Sequence, residues 1–71
     1  LHDALPIWVY RDPLYGWNRY AWDVWDAGTL PPWTGDYLTT VDATRDAEEY
    51  VAAVLGWQKG EYEVRLQERY S

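Results

Sequence analysis

The sequence predicts a small α+β domain built β-β-α-β, a three-stranded antiparallel sheet in the order 2-1-3 with one helix packed on one face. Three observations predict it. Residues 19–26, RYAWDVWD, alternate apolar and polar positions. Residues 45–57, RDAEEYVAAVLGW, space their apolar residues as a helix does. Residues 61–70, EYEVRLQERY, alternate again.

In the first strand, residues 19–26, Tyr20, Trp22 and Val24 share one face, and Arg19, Ala21, Asp23 and Trp25 share the other. Aromatic and β-branched enrichment favours a strand over a helix. Residues 27–36 carry two prolines and two glycines, which cannot continue a central strand, so they read as a hairpin loop. Residues 37–43, YLTTVDA, read as the second strand. Tyr37, Thr39, Val41 and Ala43 lie on the face opposite Leu38, Thr40 and Asp42. If both inner faces are to meet the helix, Trp22 pairs with Val41 and Trp25 with Leu38. A slip of one residue would bury Asp42.

Thr44 stands where an N-cap belongs, and Asp46, Glu48 and Glu49 follow near the positive end of the helix dipole. Ala47, Tyr50, Val51, Val54 and Leu55 form the apolar stripe of the helix. Gly56 is placed to end it in the left-handed conformation, with Trp57 folding back on the last turn. In the third strand, residues 61–70, Tyr62, Val64 and Leu66 face inward.

Residues 8–18 read as a lead-in, extended over 8–11 and turning at DPLYG. Residues 1–7, LHDALPI, back-translate without mismatch to CTA CAC GAC GCT CTT CCG ATC, which resembles the tail of a short-read sequencing adapter. The heptad also holds the sole isoleucine, Ile7, and the sole histidine, His2. It is therefore expected to lie outside the fold. Residues 19–71 are then a single domain, the C-terminal part of a longer protein from a bacterium or phage with a GC-rich genome.

Composition narrows the chemistry. The chain has 71 residues and a net charge of −6. That balance disfavours nucleic acid and anionic membrane surfaces as partners, since both draw on Lys and Arg. With no cysteine, a single serine at the last position and its one histidine in the suspect heptad, a hydroxyl-and-imidazole arrangement is absent, and Thr39, Thr40 and Thr44 stand where structural roles suffice. No catalytic residue, cofactor or metal site is expected. Zinc needs Cys or His, and DVWDAGTLPPWTGD does not fit an EF-hand. A cytoplasmic location is expected.

The aromatics carry the most information. Six tryptophans and seven tyrosines stand in a chain without Phe or Met. A buried ring removes about 150–250 Å² from water, on the order of 4–6 kcal/mol before entropy is subtracted. Trp22, Tyr20, Tyr50, Tyr62 and Trp57 are expected in the core on this ground. Trp25, beside Leu38 on the outer sheet face, is expected to be exposed, with Trp17 and Trp33 near it. Trp17, Trp25, Trp33 and Leu38 are therefore the candidate binding residues. The expected function is a non-enzymatic interaction module whose partner is a protein, with a peptide or carbohydrate as further options for such a platform. Two alternatives are a C-terminal piece of an enzyme with its catalytic residues upstream, and an acidic mimic of nucleic acid.

Overall fold

A computed structural model describes residues 4–12, 18–24 and 33–67. The element order is ββαβ: β1 (Leu5–Arg11), β2 (Tyr20–Val24), α1 (Thr40–Tyr50), a π-helical turn (Val51–Leu55) and β3 (Tyr62–Gln67). The sheet order is β2-β1-β3, with one helix packed on one face. The expected α+β class, element order and sheet order all stand.

The strands that fill that order differ from the expected ones. The central strand is β1, which contains the 8–11 segment and reaches back to Leu5. It pairs antiparallel with β2, Ile7 opposite Val24 and Val9 opposite Trp22. It pairs parallel with β3, Leu5 opposite Tyr62, Ile7 opposite Val64 and Val9 opposite Leu66. The sheet is thus mixed rather than fully antiparallel. The connection to β2 reverses the chain, and the crossover through α1 reverses it again before β3 enters on the other side of β1.

The start of β1 lies inside the heptad expected to stand apart from the fold. Ile7 has 0% exposure and Val9 1%, between buried Trp22 on one side and β3 on the other. The reason is the period-two pattern Leu5, Ile7, Val9, which continues across the boundary at Trp8 and gives the sheet its middle apolar row.

The expected second strand, residues 37–43, is instead the approach to the helix. Tyr37 forms one antiparallel bridge with Tyr20, and α1 begins at Thr40. The N-cap is Thr39, not Thr44: its Oγ1 accepts from the Asp42 N–H at 3.1 Å. Asp42 puts an acid at the third helical position, near the positive dipole end. The local β preference of Thr39, Thr40 and Val41 is overridden because the earlier start puts Ala43 and Ala47 on the sheet, both fully buried. Their short side chains let the helix approach Ile7, Val9 and Trp22 closely. Trp22 consequently faces Val9, and Val41 is an exposed helix residue.

The helix ends as the sequence indicates. Gly56 takes φ +72, and the N–H groups of Gly56 and Trp57 both reach the Val51 carbonyl. Only glycine adopts that backbone without a Cβ penalty. The preceding π turn widens the helix, and it shifts the phase of the apolar stripe. Val51 is fully buried, Leu55 packs on the core edge, and Val54 is left exposed.

Candidate functional site

The two edges of the sheet are treated differently. The far edge of β2 is occupied by the segment before the helix. Tyr20 N–H donates to the Tyr37 carbonyl at 2.8 Å, Tyr37 N–H returns a bond at 3.0 Å, and Trp22 N–H donates to the Thr34 carbonyl at 2.9 Å. That segment is pinned at its corner by Asp12, a buried carboxylate at 2% exposure, whose Oδ2 accepts from Asp36 N–H at 3.0 Å. Asp36 sits at φ +67, and its own carboxylate meets Arg19 at 3.3 Å. Aspartate tolerates this left-handed backbone better than most residues.

A polar chain ties the same segment to the helix. Trp22 Nε1–H donates to the Tyr37 hydroxyl at 3.2 Å, and that hydroxyl donates to the Asp46 carboxylate. Burial and the Asp46 hydrogen bond raise the Tyr37 pKa above the ordinary phenol value, and the Trp22 donor pulls it down less strongly. On the other side, the Tyr62 hydroxyl donates to Glu48 Oε2 at 2.7 Å. That bond raises the Tyr62 pKa, with burial adding to it.

The edge of β3 has no such cover among the described residues. Its parity follows from the ladder. Leu5 N–H bonds the Glu61 carbonyl at 3.0 Å with Leu5 opposite Tyr62, so the odd residues of β3 turn their backbone groups toward β1. The N–H and C=O groups of Tyr62, Val64 and Leu66 therefore point outward, away from the sheet.

Beside this edge lies an apolar groove of about 500 Å³, lined by Thr40, Val41, Thr44, Arg45 and Glu48 from α1 and by Val64 and Leu66 from β3. It exists because α1 rests over β1 and β2 rather than over β3. The inward face of β3 is left partly bare, with Leu66 58% exposed. Large apolar side chains at such exposure, grouped on one groove, are the kind of surface that proteins use for recognition.

Of the residues singled out in the sequence, Trp33 is 55% exposed and Leu38 64%. Leu38 stands just before the N-cap, three residues ahead of Val41. Residues 37–43 do not form the strand expected to set it opposite Trp25. Trp17 and Trp25 lie outside the described residues. On the described part of the outer sheet face the aromatic residues are Trp8 and Tyr10, which with Asp23 and Gln67 line a shallow concavity. The Arg65 guanidinium lies 5.4 Å from the Trp8 ring centre. Alternation in LPIWVYR is the signal that could have found Trp8 and Tyr10. The groove residues Val41 and Leu66 have no local signal, since their exposure depends on where the helix lands.

Among the described residues no three His, Cys, Asp or Glu side chains converge as a metal site, and no helix is long and apolar enough to cross a membrane. Comparison with protein families, with curated proteins and with solved structures finds no match.

Proposed function

We propose that this chain is a non-enzymatic protein-interaction module, which receives an extended segment of its partner along β3 and seats apolar side chains in the groove beside it. The observation that carries this reading is the pairing of an open strand edge with an apolar groove on the same side of the sheet. Main-chain hydrogen bonds from Tyr62, Val64 and Leu66 supply affinity in such a mode, and the pocket beside them supplies selectivity. Relative to the sequence expectation, the binding surface moves from the outer sheet face to the helix side. Leu38 is not among the residues that line it.

The test is selection of displayed peptides on the 71-residue chain. Peptides that alternate apolar and polar residues are expected to be enriched. Their binding should be lost in Leu66→Glu, which charges the groove, and in Val64→Pro, which removes one outward N–H. Proline is tolerated in an edge strand when its missing N–H faces solvent, so the second variant leaves the β1 ladder intact. Failure to enrich any peptide, or binding indifferent to both substitutions, would refute the reading.

A further inference from the structure

We infer that the partner on this edge is a second copy of the chain, joined by antiparallel pairing of β3 with β3 about a two-fold axis at Val64. The inference rests on the interaction-module reading and deepens it. Charge complementarity along the strand selects this occupant.

Among the described residues of β3, only the groups of Tyr62, Val64 and Leu66 face the open edge, so a symmetric antiparallel pair must place each residue opposite one of the same parity. A register centred on Glu63 sets Glu61 against Arg65 twice but puts Glu63 against Glu63 at its centre, and one centred on Arg65 sets Arg65 against Arg65. A register centred on Tyr62 sets Glu61 against Glu63. Each juxtaposes like charges directly across the ladder, which is destabilising. A register centred on Leu66 sets Arg65 against Gln67 and leaves Tyr62, Glu63 and Val64 beyond the end of the other copy's strand. The register centred on Val64 sets Glu63 of each copy against Arg65 of the other, twice. It also sets Tyr62 against Leu66, and Val64 against itself.

Both faces of the strand agree with this choice. On the outer face, Glu63 and Arg65 already lie 3.0 Å apart within one copy, so the two copies build a ring of four alternating charges. On the helix face, Tyr62 of one copy stands at the mouth of the groove where Leu66 of the other is exposed. The outward N–H and C=O groups of Tyr62, Val64 and Leu66 all find partners in this register, and the two three-stranded sheets become one of six. A two-fold axis normal to the sheet keeps both α1 helices on the same side. This is an isologous interface, in which the same patch serves both subunits.

Sedimentation equilibrium of the full chain over a dilution series tests the inference. Wild type is expected to dimerise. Glu63→Arg alone and Arg65→Glu alone each place like charges across both symmetric positions and should weaken association about tenfold or more. When the two single variants are mixed, opposite charges again face each other at both positions across the ladder, with their signs exchanged at one of them. A one-to-one heterodimer should therefore form. A folding defect in either variant cannot produce that recovery. A wild type that stays monomeric throughout would overturn the second copy as partner. The groove reading would then stand or fall on the peptide selection alone. A wild-type dimer indifferent to both charge reversals would overturn the register.

Discussion

Replacing Ile7 by alanine separates two accounts of the chain. If the first seven residues lay outside the fold, the substitution would cost nothing. In the structure Ile7 is fully buried and sits in the middle of the central strand, between Val24 and Val64. Three carbons leave the core, about 2.4 kcal/mol at about 0.8 kcal/mol per methylene. A residual cavity raises this, since α1 rests on the sheet through Ala43 and Ala47 and has no larger side chain there to fill the space. The total falls at about 3 kcal/mol, within the roughly 2–5 kcal/mol of comparable truncations. A chain of this length holds about 4–10 kcal/mol of stability, so the variant loses a large share of it. With a urea slope of about 1 kcal/mol/M, the midpoint should drop by about 2–3 M or the domain should be unfolded in buffer. Far-UV circular dichroism follows the transition. Leu38→Ala, at an exposed position, serves as the comparison and should move little. An Ile7→Ala midpoint within a few tenths of a molar of wild type would refute the placement of β1.

Other consequences are smaller. Thr39→Ala should cost about 1 kcal/mol by removing the N-cap acceptor, whereas Thr44→Ala should cost less, and paired urea melts compare them. Gly56→Ala should cost about 1–2 kcal/mol, a backbone penalty of the left-handed conformation, because a Cβ there meets no atom within 4 Å. The raised phenol pKa values of Tyr37 and Tyr62 favour the protonated forms in the folded state. Their contribution is therefore complete below the ordinary phenol pKa of about 10 and is lost as the pH rises through the higher folded values. Thermal melts should be insensitive to phenol ionisation near neutrality and decline above about pH 10. Tyr37→Phe should remove a late step from the ultraviolet phenolate titration. Because Tyr62 also titrates late, the contradicting result is a titration curve that the substitution leaves unchanged.

Several elements can be read directly from the chain because their signals are local. Tyr20, Trp22 and Val24 alternate without interruption, and so do Tyr62, Val64 and Leu66. Gly56 supplies the left-handed residue that ends the helix where Trp57 turns back. These features set the β-α-β succession from β2 to β3. The central strand escaped because its pattern is split by the boundary drawn at Trp8, although Leu5 and Ile7 continue it in phase. Residues 37–43 misled because Thr39, Thr40 and Val41 favour strands intrinsically. What outweighed them was tertiary: burial of Ala43 and Ala47 against Ile7 and Trp22, with Thr39 free to cap.

The candidate site shows the same division. Trp33 and Leu38 are exposed, and neither belongs to an apolar row. The groove could not be read locally, because the exposure of Leu66 follows from α1 covering β1 and β2. Leu66 sits in the same alternating pattern as Val64 and Tyr62, and only the helix position tells them apart.

Amide hydrogen exchange along β3, resolved by residue in a dilute sample, tests the open edge most directly. Alternation is expected: Glu63, Arg65 and Gln67 protected by β1, and Tyr62, Val64 and Leu66 exchanging fast until concentration brings two copies together. Uniform protection of all these amides at high dilution, or an inverted alternation, would contradict it.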